Sequence, residues 1–374
     1  MARTEHHPTG LIHYNPNLAH RGYTLFTAMT DKALLIDPQG RIVHQWQHDR
    51  GITNAELLPS GNLIALTMPS PEVEGQRGLN GQAAACVELD WEGNVVWEYN
   101  DPWLHHDYQR LPNGNTLLIK WVQMPKSRVK QVKGGFVDQE DDPTRMLGDL
   151  VMEVKPDGSL VREWRSWEHL DPAIDVICPL DDRREWTHAN SVDVTPRGDW
   201  LLSFRRTSTI VQVAPKTGKV KWRFNDDSVR HQHDAKFTAA GTMTFFDNGV
   251  HRRGIEYSRA VEIDTRTKKV IWEYADNPPF TMYTLMGGCV DRLPNGNTLI
   301  TETSKGHLLE VTHDKKVVWE YINPFFVNNP RLGGRMNMVF RAHRYSQSHA
   351  GLEGRELDPA RYANLNRLYA GSGA

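Results

Sequence analysis

The chain has 374 residues, of which 39% are hydrophobic and 24% charged, with a formal net charge of −2 and a pI near 6.8. That balance offers no positive surplus for nucleic acid, and no apolar run approaches the roughly 20 residues of a membrane span. A long chain with so modest an apolar fraction suits many small sheets better than one large α/β core.

Met1–Gly10 (MARTEHHPTG) has no basic stretch leading into an apolar one, so a soluble, cytoplasmic location is expected, or a periplasmic one if a leader has been removed. The first strands are expected at Gly22–Met29, Ala33–Asp37 and Arg41–Trp46, without an inner strand of their own. The last of them closes a phrase that recurs six times: a Gly- or Lys-led turn, apolar or basic residues, then an aromatic closure. GRIVHQW at Gly40–Trp46 returns as GNVVWEY at Gly93–Tyr99, GSLVREW at Gly158–Trp164, GKVKWRF at Gly218–Phe224, KKVIWEY at Lys268–Tyr274 and KKVVWEY at Lys315–Tyr321. A second phrase precedes five of them, as in YQRLPNGNTLLI at Tyr108–Ile119 and DRLPNGNTLIT at Asp291–Thr301. Its Asn-Gly turn between apolar runs is a hairpin signal, because both turn positions tolerate positive φ. With a third strand such as CVELD at Cys86–Asp90, each unit of roughly 40–70 residues makes one four-stranded propeller blade.

Five complete blades are expected at about 52–99, 104–165, 186–224, 231–274 and 285–321. Pairing Asn337–Tyr345 with the N-terminal strands supplies a sixth and leaves no open edge. The expected fold is therefore all-β, a single six-bladed propeller over residues 1–345 closed by its N- and C-terminal strands. Insertions are expected at 122–148, a long polar loop, and at Arg165–Trp186, with a short helix around Trp167–Leu170. A tail over 346–374 should hold a short helix at Leu357–Tyr369 and a frayed Gly-Ser-Gly-Ala end. Cys86, Cys178 and Cys289 are far apart with no C-x-x-C pair, which favours free thiols in a reducing compartment.

His106-Asp107, His188-Ala189-Asn190 and His233-Asp234-Ala235 each open an innermost strand, some six to nine residues before its turn. Asn54 and Asn337 occupy the matching slot in the first blade and the closing strand, and Gly288-Cys289 in the fifth. Inner strands run along the axis, so these starts converge at one mouth. Three imidazoles in register ask for a function, since two blades fold without one. Trp97, Trp222, Trp272 and Trp319 read as blade packing. Two chemistries fit. One imidazole can attack sulfur or phosphorus while the others and Arg205, at the end of LLSFR, hold the non-bridging oxygens. Alternatively His106, His188 and His233 hold Zn²⁺ or Fe²⁺, with Asp107 and Asp234 orienting them. Spacing does not separate the two.

At these residues RHQHDAKF…GTMTFFDNG (Arg230–Gly249), HHDYQRLPNGNTLL (His105–Leu118) and HANSVDV…LLSFRRTSTIVQVAPKTGKVKW (His188–Trp222) resemble the bacterial arylsulfotransferases that work without phosphoadenosine phosphosulfate. The likeness runs from about residue 20 to 345. It implies a six-bladed propeller that moves a sulfuryl group between small aromatic substrates through a sulfohistidine, with no required cofactor and as a homodimer. His233 would be the nucleophile; His106, His188 and Arg205 would bind sulfuryl oxygens, and one of the two other imidazoles would move the proton. Asn54 and Asn337 would touch substrate, and Phe280, Tyr283, Phe325 and Phe326 could stack on phenols. The chain departs from the family's exported, disulfide-bearing members in showing neither an export signal nor paired cysteines.

Overall fold

Six antiparallel sheets surround one axis; blades 1 to 4 run from inner to outer strand in chain order, and the chain ends complete blades 5 and 6. The computed structural model describes residues 7–28, 30–69, 73–76, 78–138, 142–329 and 333–369. Blade 1 is Ile52–Leu57, Leu63–Thr67, Ala85–Leu89 and Val95–Asn100; blade 2 is Leu104–Arg110, Thr116–Gln123, Leu147–Val154 and Leu160–Arg165. Blade 3 is Ala189–Val194, Trp200–Phe204, Thr209–Val213 and Val220–Phe224; blade 4 is His233–Phe237, Met243–Asp247, Arg259–Ile263 and Val270–Tyr274. Blade 5 is Cys289–Arg292, Thr298–Glu302, His307–Val311 and Val317–Ile322.

Blade 6 sets Ala342–Ser346 against Gly22–Thr27, followed by Lys32–Ile36 and Ile42–Gln47. Gly22 faces Ser346 and Phe26 faces Ala342. The pairing is tight at Gly22, where a Cβ would lie 2.3 Å from the Tyr345 carbonyl oxygen. The closing strand begins at Ala342, so Asn337 precedes it rather than opening it. Gly10–Tyr14, which carries no blade phrase, pairs with Val317–Ile322 and covers the outer edge of blade 5. Met29 and the Gly-Ser-Gly-Ala end fall outside the described residues.

The two insertions meet. Gly134–Phe136 pairs in parallel with Ile177–Asp182, and short helices stand at Lys126–Val129 and Ser166–His169. Part of the first insertion, 139–141, is outside the described residues. In the tail, a helix covers Ala363–Tyr369.

The recurring aromatic has a reason beyond packing. Six indole N–H groups reach an outer turn of the next blade: Trp46 to Asp90 O (3.1 Å), Trp97 to Pro156 O (2.8 Å) and Trp164 to Gly218 O (3.0 Å). Trp222 donates to Thr265 O (2.8 Å), Trp272 to His313 O (2.9 Å) and Trp319 to Pro38 O (2.8 Å). The last bond joins blade 5 to blade 6, so the chain of indole bonds runs round the whole ring. Each such bond contributes about 1 kcal/mol net, on top of the apolar area it buries.

Candidate active site

The inner strands of blades 2, 3 and 4 do not start as regular β-structure. His106 (φ 59°), His188 (φ 56°) and Asp234 (φ 57°) are left-handed, which is uncommon for residues other than glycine. Beside them the ladders slip, between Leu118 and Lys120, Ala189 and Ser191, and His233 and Lys236. Such bulges re-aim side chains, and strained backbone of this kind costs roughly 1–3 kcal/mol per site. Here they bring His106, His188 and His233 to one end of the channel. With Arg205 they line a cavity of about 710 Å³, whose wall also includes Thr53, Gly81 and Phe340. The His106 and His188 ring centroids are 4.5 Å apart.

Each imidazole is held from behind through Nδ1. His233 Nδ1 lies 2.7 Å from Asn248 Oδ1 and 3.1 Å from His231 O. The Asn248 amide cannot be turned round, because its Nδ2 donates to Thr284 O (3.0 Å) and Gly287 O (2.9 Å). Its Oδ1 therefore accepts, His233 carries its proton on Nδ1, and Nε2 keeps a lone pair. Burial lowers the His233 pKa to about 3, with Arg205 adding to the effect, so the ring is neutral at ordinary pH.

His188 Nδ1 donates to Glu185 Oε1 at 2.6 Å, and Trp121 Nε1 donates to Glu185 Oε2 at 2.8 Å. Burial works against the Glu185 charge, but His188 and Arg206 outweigh it and hold the carboxyl well below its usual range. His106 Nδ1 is 2.8 Å from His105 Nδ1, and His105 Nε2 is 3.3 Å from Asp149 Oδ1. One of the two rings donates through Nδ1 to the other, and the Asp149 carboxylate stands at the far edge of His105. His105 itself stacks on Trp121, centroids 4.0 Å apart, behind the cavity wall. Burial, with His188, pushes the His106 pKa well below its ordinary value.

The two neighbouring arginines differ. Arg206 is tied to Asp182 (3.0 Å) and Glu185 (3.3 Å), whereas Arg205 makes a longer contact with Asp181 (3.5 Å) and keeps 17% of its side chain exposed. Both line the cavity, and Arg205 is the less tightly paired of the two. Behind the imidazoles Arg341 spans the axis, donating to Asp107 Oδ1 (2.6 Å) and Asn190 O (2.9 Å) and standing 3.2 Å from Asp234.

The six residues named from the sequence as substrate contacts, Phe325 and Phe326 among them, are not in the cavity wall. Asn54 is buried one position too far along its strand, and its Nδ2 contacts Asp107 Oδ1 at 3.3 Å while Thr53 faces the cavity. Asn337 is fully buried and donates to Asn323 O at 2.8 Å, leaving Met338 and Phe340 to line the wall. Tyr283 donates to Glu256, and Phe280 is 54% exposed in the turn Pro279–Thr281. Asp107 and Asp234 face Arg341 rather than the imidazoles' rear edges. Conversely, Asn248, Glu185 and the His105–Asp149 pair escaped the sequence reading. Asn248 sat in the quoted FDNG run, but nothing local says that it reaches His233.

Among the described residues, two groups bring three or more His, Cys, Asp or Glu ligand atoms within 4.8 Å of one another. They are Cys178, Asp181, His231 and His251, and Cys289, Asp291 and His343; the three cavity imidazoles are not such a group.

Fold and site together define a six-bladed β-propeller with an imidazole- and guanidinium-lined pocket at one mouth. The chain belongs to the arylsulfotransferase (ASST) family, whose model matches residues 84–324. It is 22% identical over 314 residues to an arylsulfate sulfotransferase of Escherichia coli, covering 62% of this chain and 50% of that protein. The chain therefore spans about half the length of that curated relative. Among solved structures, a Bacteroides caccae protein of unknown function shares the fold with a TM-score of 0.55 at 12% identity, covering 86% of this chain and 98% of that one. A streptogramin B lyase overlaps more loosely, at TM-score 0.48 and 13% identity over 90% and 93% of the two chains.

Proposed function

We propose that the protein transfers a sulfuryl group from an aryl sulfate to a phenol through a sulfohistidine at His233. The observation that carries this reading is the fixed Asn248 amide, which leaves His233 Nε2 as a neutral, unprotonated nucleophile beside Arg205. His233 Nε2 attacks sulfur, the sulfur–oxygen bond to the aryl group breaks, and its electron pair leaves with the phenolic oxygen. His188, its ring held by the Glu185 carboxylate behind it, is the general acid that protonates that oxygen. Arg205 holds the non-bridging oxygens with its planar fork. In the return step the acceptor phenol gives its proton to His188 and attacks sulfur, and the N–S electron pair goes back to Nε2. The scheme needs no cofactor, and the wider spacing of the three imidazoles favours it over a Zn or Fe ion held by all of them.

The test is nitrophenol release from p-nitrophenyl sulfate, with and without phenol, by wild type and His233→Ala. Phenol-stimulated release by wild type that vanishes in the variant is the expected result. No release by wild type, or undiminished release by His233→Ala, would overturn the reading.

A further inference from the structure

At the cavity's edge, where Asp181 and His251 are part of the wall, Cys178 on the Ile177–Asp182 strand meets Asp181, His231 and His251. The Cys178 Sγ is 3.3 Å from His251 Nδ1, His231 Nε2 is 2.9 Å from Asp181 Oδ2, and His251 Nδ1 is 3.9 Å from Asp181 Oδ1. A tetrahedral ion with bonds of about 2.0–2.3 Å separates its ligands by roughly 3.3–3.8 Å; the three contacts above span 2.9–3.9 Å, and all four ligand atoms lie within 4.8 Å of one another. Two of the four residues sit on strained backbone, His231 at φ 57° and His251 at φ 60°, so the fold spends energy to bring the rings together.

A second observation points to a cation. His231 Nδ1 lies 2.8 Å from Val250 O, an acceptor, and its Nε2 lies 2.9 Å from Asp181, another acceptor. A neutral ring has one proton for the two. A metal ion bound at Nε2 would leave Nδ1 to donate to the Val250 carbonyl and would share the Asp181 carboxylate with the ring. A backbone acceptor behind a ring nitrogen is also the usual way a ligating histidine is held.

The other ligand-like group has no such vacancy in its bonding. In Cys289–Asp291–His343 the Lys236 ammonium already stands 2.6 Å from Asp291 and 3.6 Å from Cys289. It supplies the positive charge there.

We propose that Cys178, Asp181, His231 and His251 form a four-coordinate structural site for Zn²⁺ or a similar transition-metal ion, distinct from the three cavity imidazoles. Soft thiolate and imidazole donors with one carboxylate suit that class of ion. The ion would pin the insertion strand Ile177–Asp182 to blade 4 and, by engaging Asp181, loosen the 3.5 Å hold of that carboxylate on Arg205. It takes no part in the sulfuryl steps above.

The full chain, stripped with chelator and dialysed, is titrated with Co²⁺ alone and then with Zn²⁺. One equivalent of Co²⁺ should produce a thiolate-to-cobalt charge-transfer band and intense tetrahedral visible bands, both erased by one equivalent of Zn²⁺. Cys178→Ser should abolish the charge-transfer band, and His251→Ala should weaken Co²⁺ binding by more than the tenfold typical of losing an outer partner. Cys289→Ser should leave band and stoichiometry unchanged. Absence of stoichiometric binding by wild type, or a band that survives in Cys178→Ser, overturns the proposal. These readouts are independent of activity, so they stand whether or not sulfuryl transfer is observed.

Discussion

The tautomer of His233 is the most exposed part of the mechanism to experiment, and Asn248 is the lever. In Asn248→Ala the 2.7 Å bond to Nδ1 is gone, and only the 3.1 Å contact with His231 O favours the reactive tautomer. A hydrogen bond is worth about 1–1.5 kcal/mol net, and each 1.36 kcal/mol is tenfold in rate, so kcat should fall roughly five- to thirteenfold. The same change strands two buried carbonyls, Thr284 O and Gly287 O, and should cost a further ~2–4 kcal/mol of stability. Asn248→Asp separates positioning from mere structure. It keeps an acceptor at Nδ1 and adds a negative charge, so the imidazolium becomes easier to form and the acid limb of kcat/KM should move to higher pH. The assay is the pH profile of nitrophenol release for wild type and both variants, with thermal melts to establish folding. A folded Asn248→Ala with wild-type kcat, or an Asn248→Asp profile with its acid limb unmoved, would refute the tautomer argument.

Arg205→Lys keeps the charge but loses the fork, and kcat/KM should drop by about 10²–10³ with little change in melting temperature; a loss under threefold would remove Arg205 from the mechanism. Gly81→Ala places a Cβ 2.2 Å from His106 Cε1 on a backbone at φ +82°, so turnover should fall at least about tenfold while the circular dichroism spectrum stays native. Arg341→Met leaves the carboxylates of Asp107 and Asp234 without their shared guanidinium; urea unfolding should show a loss of about 3–5 kcal/mol, and a loss under about 1 would contradict the axial role. Because the folded-state pKa of His233 is depressed to about 3 from 6.5, the unfolded chain binds the extra proton between those values and stability falls as pH drops through that window. Melting temperatures from pH 7 to 4 should therefore decline less steeply in His233→Gln than in wild type, the difference reaching up to ~1.4 kcal/mol per pH unit; equal slopes would show that the ring is not held neutral.

The repeat phrases determined the architecture by themselves, because blade hairpins and aromatic closures are local: Asn-Gly turns need only their own backbone, and alternation needs only neighbouring residues. The same register placed His106, His188, His233 and Arg205 near one mouth. Asn54 and Asn337 show where that logic stops. A one-residue displacement along a bulged strand moves a side chain to a different face, so Asn54 turns to Asp107 and Thr53 takes the cavity wall. The partners that fix each imidazole are set by contacts between segments far apart in the chain, such as His105 with Asp149, or the Asn248 amide locked by Thr284 and Gly287. Cys178 likewise meets His231 and His251 only because one insertion folds back against blade 4. Sequence spacing thus determined which residues approach the axis; the tertiary structure decided which nitrogen of His233 is free, because a proton's position depends on the acceptor behind it.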